Sequence, residues 1–307
     1  MNNNQLHNIN TITEFHRLRG LPKPMHPLVS LVDYGQVRHS PENNRITWIQ
    51  HFYTIGLKRD VGGKFRYGQL AYDFDEGLMS FIAPGQVFSI EVFDYGEAPP
   101  ASGWLLLIHP DFFWNTPLAN NIKKYDFFGY NVNESLFLSE NEELIIIGIL
   151  QNIEREYHEH IDKFSQRIIV SQIETLLNYA ERFYERQFIT RRVTNHHLLN
   201  RFEGFLSGYF DNEALLIRSL PTVKSVADEL NVSPDYLTSM LKVLTGATTQ
   251  QHIQNKLIEK SKEKLSTTNL SVAEIAYELG FEHSQSFSKL FKSKTNLTPL
   301  AFRKSFY

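Results

Sequence analysis

One feature constrains this 307-residue chain more than any other: a stretch near the carboxyl terminus that occurs twice. In the later copy, Val272, Ile275, Ala276 and Leu279 recur at the spacing of one buried helical face, and Gly280 and Phe281 close the run. After a short polar break Phe287, Leu290 and Phe291 repeat the pattern, which predicts two short helices joined by a tight turn. Sliding back by 49 residues sets Val223 on Val272, Val226 on Ile275, Ala227 on Ala276, Leu230 on Leu279 and Asn231 on Gly280. One residue later in register, Leu237 falls on Phe287, Met240 on Leu290, Leu241 on Phe291, Lys242 on Lys292 and Thr248 on Thr298. Asn231 at the turn agrees with this reading, since Asn replaces Gly best in a left-handed conformation. Ser271 with Glu274 predicts a capping box, and Ser233 with Pro234 a cap and a first-turn proline.

Charge is divided along the chain in the same place. The net charge is −3, yet from Arg218 onward there are 12 Lys and Arg against 8 Asp and Glu, leaving 19 against 26 for the rest. A cationic tail suits duplex DNA, because Lys and Arg displace condensed counterions from phosphates. Alone, such a margin is ordinary for a small domain; combined with the duplicated motif it points to nucleic acid.

The motifs VADELNVSPDYLTSMLK, TTQQHIQNKLIEKSKEKL and IAYELGFEHSQSFSKLFKSKTNLTPLAFR resemble the AraC/XylS family of bacterial transcription regulators. The resemblance covers roughly the final third of the chain. It implies two helix-turn-helix units joined by a long helix and acting on double-stranded DNA. The linking helix departs from the family's preference for Arg, Ala and Leu with Lys256, Ser261 and Lys264, and the first reading helix has Ser239 where Arg is frequent.

The second helix of such a unit enters the major groove with its early residues toward base edges. Because Leu237, Met240 and Leu241 must face inward, Pro234, Asp235, Thr238, Ser239 and Lys242 are expected toward the duplex. In the second unit the same argument selects Ser284, Gln285, Ser288, Lys289 and Lys292. Gln pairs bidentately with adenine and Lys with guanine, so Gln285 and Lys289 are expected to carry most of the direct readout. Lys256 and Arg303 are candidate phosphate contacts. A linking helix from about Thr249 to Leu265 spans roughly 25 Å at 1.5 Å per residue. With the offset of each unit, that length places two readers in neighbouring grooves, about 34–36 Å apart.

Two domains suit this length. Residues 1–24 are Asn-rich with Pro22 and Pro24 at the end, and predict a loose lead-in. From 25 to 137, short runs rich in β-branched and aromatic residues, punctuated by Gly and Pro, predict an antiparallel barrel or jelly roll. The phrase Leu78-Met79-Ser80-Phe81-Ile82-Ala83-Pro84-Gly85 resembles the cupin-type sensor domain that many members of the family carry. That resemblance implies a small-molecule effector. Trp48, Phe52, Tyr53, Phe65, Arg66 and Tyr67 can line a pocket, or be core and surface in alternation. His39, His51 and His109 stand apart, without the His-x-His and Glu of a metal cupin, so no metal or other cofactor is expected.

Over 138–188, Ser139 with Glu142 opens a helix, and Ile168, Ile169, Ile173, Leu176, Leu177, Ala180 and Phe183 form the apolar face of a second. Such a hairpin either packs on the barrel or makes a homodimer, as helices in this place do in the family. Residues 189–196 are the expected linker, and 197–307 the DNA-binding domain, with units at about 222–244 and 271–294. The fold class expected is thus α+β in two domains: a cupin-like antiparallel barrel with a helical hairpin, then an all-α double helix-turn-helix. The chain lacks cysteine, an apolar run of membrane-spanning length and a signal peptide's apolar core, which predicts a cytoplasmic protein. A cupin-type enzyme with an accessory tail is the competing reading, and an effector-independent DNA binder a third. Against the enzyme, neither a Gly-x-Ser-x-Gly elbow nor a phosphate-cradling loop occurs.

Overall fold

The computed structural model describes residues 6–37, 45–59, 65–67, 70–72, 77–91, 102–131, 134–159, 164–190, 192–211 and 220–305. The chain divides into two compact units, Met1–Gln187 and Phe188–Tyr307.

The first unit begins with β1 (Leu6–Ile9) and α1 (Ile12–Leu18). Residues 6–24 are therefore not the loose lead-in that their composition suggests. Thr11 and Glu14 make a capping box, and Ile9, Ile12 and Phe15 are buried, enough apolar surface to fix a short helix among polar neighbours. The strands that follow are β2 (Val29–Asp33), β3 (Arg45–Gln50), β4 (Tyr53–Arg59), β5 (Phe65–Tyr67), β6 (Leu70–Tyr72), β7 (Leu78–Ile82), β8 (Val87–Glu91), β9 (Ser102–Ile108) and β10 (Leu136–Phe137). Among the described residues they form sheets of order β10-β7-β4-β9-β2, β1-β3-β8 and β5-β6. All pairings are antiparallel except β1 with β3, which is parallel.

The two larger sheets share one core. Ile9 and Trp48 from one, and Val32, Leu105 and Leu107 from the other, pack with Ile12, Phe15 and Phe52. Trp48, Phe52 and Tyr53, considered as pocket lining, are thus buried; the side chains of Phe65, Arg66 and Tyr67 lie outside the described part. Buried Gln50 is satisfied locally: its carbonyl accepts from Trp48 Nε1 at 3.2 Å, and its amide donates to Phe52 O at 3.1 Å and Thr54 Oγ1 at 2.6 Å. Gly103, opposite Lys58, holds φ +130°, and a Cβ there would stand 2.0 Å from the Leu57 carbonyl oxygen. His51 Nε2 is 2.8 Å from Asn8 Oδ1, and His109 Nδ1 accepts the Asp111 N–H. His39 lies outside the described residues.

After β9 come 3-10 turns and α2 (Leu118–Asn121), then α3 (Glu140–His158) and α4 (Ser165–Thr190). Glu142 accepts the Ser139 N–H at 2.9 Å and pairs with Arg186, which joins the start of α3 to the end of α4 as in an antiparallel hairpin. Much of the apolar face of α4 is covered: Ile169, Ile173, Leu176, Leu177, Ala180 and Phe183 are buried, and Tyr184 stacks on Phe127, which touches Phe81 of β7. Ile168 departs from the expected face. It is 43% exposed, because one residue before Ile169 is about 100° around a helix.

The second unit contains α5 (Arg192–Asp211), α6 (Val223–Leu230), α7 (Pro234–Thr245), α8 (Thr249–Thr267), α9 (Val272–Glu278), α10 (Ser284–Thr295) and α11 (Pro299–Lys304). The stretch expected as a linker is helical on both sides of residue 191, with α4 running to Thr190 and α5 starting at Arg192. Asn195 there is buried and donates from Nδ2 to the Phe188 carbonyl at 2.6 Å. No helix among the described residues is long and apolar enough to cross a membrane.

Candidate nucleic-acid interface

The repeat in the sequence is a repeat of hydrogen bonds. At the first turn, Asn231 adopts φ 58° and Val232 N–H donates to Ala227 O at 3.0 Å. At the matching place Gly280 adopts φ 85° and Phe281 N–H donates to Ala276 O at 2.9 Å. The second junction repeats as well, with the residue types exchanged: Gly246 (φ 76°) ends α7 and Asn296 (φ 60°) ends α10. Thr245 Oγ1 donates to Leu241 O at 2.7 Å, and Thr295 Oγ1 to Phe291 O at 2.8 Å. Thr248 and Thr298 then cap α8 and α11. Each left-handed site thus takes Gly once and Asn once, the two residues that tolerate that conformation.

Burial follows the duplicated apolar positions. Val226, Ala227, Leu230, Leu237, Met240 and Leu241 are buried in the first copy, and Ile275, Ala276, Leu279, Phe287 and Phe291 in the second, while Leu290 is half-buried. At about 1.5–3 kcal/mol for each large side chain, these clusters are what hold each short helix pair together. The opposite faces are thereby turned outward. Asp235, Lys242, Gln285, Lys289 and Lys292 are exposed, and Pro234, Ser239, Ser284 and Ser288 half-buried.

Helix α8 is the shared support. Its 19 residues span roughly 28 Å at 1.5 Å per residue. Ile253, Leu257, Ile258 and Leu265 are buried along it, and α7, α9 and α11 all pack against it. Ser261, where the family favours Ala, is fully buried and donates to Leu257 O at 2.6 Å, so its hydroxyl is satisfied within the helix.

Three of the expected contact residues have internal partners. Thr238 Oγ1 lies 3.0 Å from Thr249 Oγ1, at the joint of α7 and α8. Arg303 Nε donates to the Leu265 carbonyl at 3.2 Å near the end of α8, and its Nη2 is buried. Lys256 pairs with Glu259 at 3.2 Å. Lys260 and Lys264 of α8 likewise pair with Glu263 and Glu278, at 2.9 and 2.7 Å. By contrast Lys289, Lys292 and Lys294 of α10 are exposed and pair with no carboxylate among the described residues. Lys242 of α7 is likewise exposed and pairs with no carboxylate among the described residues, so both reading helices carry uncompensated positive charge, α10 with three lysines and α7 with one. Sequence reasoning did not single out Lys294 or the Thr238–Thr249 joint; in the repeat Thr249 falls on Pro299, so the duplication carries no signal for that contact.

Two titrating groups report local structure. The Ser271 backbone N–H and hydroxyl hold the Glu274 carboxyl below the usual range. Burial pushes His252 down, partly opposed by the charge of Glu203; its Nε2 is 2.7 Å from Thr245 Oγ1 and its ring meets the edge of Phe202.

Two capped helix pairs on one rod define the class: a double helix-turn-helix DNA-binding domain. Residues 226–305 match the family described as "Helix-turn-helix domain", and the carboxyl-terminal part is of the AraC/XylS type. Over 84 residues the chain is 38% identical to an HTH-type transcriptional regulator in the cgkA 5′ region of Pseudoalteromonas carrageenovora, 27% of this chain and 49% of that one. Over 145 residues it is 30% identical to the HTH-type transcriptional regulator YfiF of Bacillus subtilis, 47% of this chain and 43% of that one. The chain thus spans less than half the length of these curated relatives. Among solved structures, the C-terminal domain of the two-component response regulator yesN from Fusobacterium nucleatum is 30% identical, covering 33% of this chain and 96% of that one with a TM-score of 0.29.

Proposed function

We propose that this protein is a sequence-specific regulator of transcription that binds double-stranded DNA through α7 and α10. The observation that carries the reading is the duplicated pair: two reading helices with polar outer faces, fixed to one rod of about 28 Å. Gln285 and Lys289 supply direct readout, each good bidentate pair discriminating by about 1–3 kcal/mol. Asp235, Lys242, Ser284, Ser288 and Lys292 make the surrounding contacts, with Pro234 and Ser239 against the backbone. Thr238, Lys256 and Arg303 serve first to hold the helices, their groups being engaged within the unit.

The first unit acts as a cupin-like sensor of a small-molecule effector, a role supported by its mostly antiparallel strands and by the core that its two larger sheets share. The effector shifts the population of DNA-competent arrangements by binding one state more tightly. The α3–α4 pair retains exposed Leu144, Ile145 and Ile168, which supports its use in a homodimer. The relatives in Pseudoalteromonas carrageenovora and Bacillus subtilis are named as transcriptional regulators, which supports the same reading.

Selection from a random duplex pool by the full chain tests it. Enrichment of two short elements about one helical turn apart is expected, with the preference in one element altered by Gln285→Ala or Lys289→Ala. A pool that emerges without sequence bias rules the reading out.

A further inference from the structure

We propose that the cavity between the start of β2 and the adjoining ends of α3 and α4 binds a small uncharged molecule, one with an apolar body and a single hydrogen-bond-accepting oxygen. The cavity lies wholly in the first unit and has a volume of about 290 Å³. That is room for about ten waters at roughly 30 Å³ each, hence a ligand of about ten non-hydrogen atoms. Leu28, Val29, Phe112 and Ile169 make its apolar walls.

His26 and Tyr157 are its polar end. His26 Nδ1 accepts the Leu28 N–H at 3.1 Å, so the proton of the neutral ring is on Nε2, a donor with no partner among the described residues. Burial lowers the pKa of this histidine, which keeps it neutral. The Tyr157 hydroxyl, on a side chain 4% exposed, accepts the Met25 N–H at 2.7 Å and keeps its own proton to donate. Two donors at the polar end of an apolar recess favour a ligand with one accepting oxygen, which can gain hydrogen bonds there. They do not call for an anion: among the described residues no Lys or Arg lines the cavity, and an unpaired buried carboxylate is disfavoured far more strongly. Met25, Trp114 and Phe164, each at least 50% exposed, neighbour lining residues through the backbone. Met25 is bonded to Tyr157, Trp114 is linked through its carbonyl to Gln166, and Phe164 precedes Ser165.

That this ligand is the effector rests on the regulator reading; that it binds does not. The test uses the full chain with labelled Ile, Leu and Val methyl groups, titrated with propiophenone, propylbenzene and 3-phenylpropanoate. Saturable shifts at Ile169, Leu28 and Val29 are expected for propiophenone, with propylbenzene and Tyr157→Phe each weakening binding up to about tenfold. Ile169→Trp, which fills the space, should abolish the shifts. Absence of saturable shifts, shifts that survive Ile169→Trp, or tighter binding of 3-phenylpropanoate than of propiophenone overturns the proposal. Anisotropy of labelled duplex, measured separately, reports on DNA binding and can fail without touching this outcome.

Discussion

At the scale of single residues, the consequences differ according to whether backbone or side chain is at stake. Gly103 tolerates no Cβ, because the Leu57 carbonyl occupies that place at 2.0 Å in the β4–β9 pairing. Gly103→Ala should therefore cost at least about 3 kcal/mol, at the far end of what single substitutions do, and urea denaturation will measure it. On the reading helices the expected losses are functional instead. Gln285→Ala should leave the melting temperature unchanged and alter preference at one element of the selected DNA. Lys292→Ala should weaken all sequences alike and reduce the slope of log K against log salt by about 1, as for one phosphate contact. Anisotropy titrations at several salt concentrations separate the two.

Among the elements, α8 decides most, since both helix pairs hang from it. Ser261 lies against its neighbours with no exposed surface, and its hydroxyl bonds only within the helix. Ser261→Ala should thus shift stability by no more than about 0.5 kcal/mol, for the Leu257 carbonyl keeps its helical partner. Ser261→Leu has no space to enter and should cost about 1–3 kcal/mol by overpacking. Chemical denaturation of the two variants side by side distinguishes these outcomes. The α3–α4 pair behaves differently: most of its apolar surface is covered by the sheet and the aromatic cluster around Phe127 and Phe81.

For the whole molecule, acid sensitivity follows from a buried imidazole in the first unit, His16, and a half-buried one in the second, His252. Burial lowers the pKa of His16, against the opposing effect of the Pro22 carbonyl at its Nδ1, and lowers that of His252. Each folded value lies below the unfolded one of about 6.5, so the native state binds the neutral ring. Stability from these groups is complete above about pH 6.5 and is lost as pH falls through that value toward the folded pKa. The melting temperature should accordingly be lower at pH 5.5 than at 7.5, and the difference smaller in His16→Gln, whatever that substitution does to the absolute value. Equal differences in both proteins would show that His16 contributes nothing to the acid response.

The second unit was legible because its information is local and written twice. Helical spacing, caps at Ser271 and Ser233, and the left-handed turn at Asn231 and Gly280 all act within a few residues, so the sequence alone determined both helix pairs and which faces stay outside. The strands from β2 to β9 were legible in part: Pro84 and Gly85 mark the break between β7 and β8, whereas β3 and β4 form one continuous run in the sequence and separate at His51 and Phe52 with no turn residue between them. Other facts depend on partners distant in the chain. Residues 6–24 are ordered because β1 pairs with β3, and Arg303 turns inward because the end of α8 offers it a carbonyl. Thr238 meets Thr249 across the joint of α7 and α8, and Lys264 pairs with Glu278 of α9, a partner that spacing on one helix does not reveal. Only the tertiary structure brings such groups together, since hydrogen bonds and ion pairs act over a few ångströms in space however far apart the residues lie in sequence.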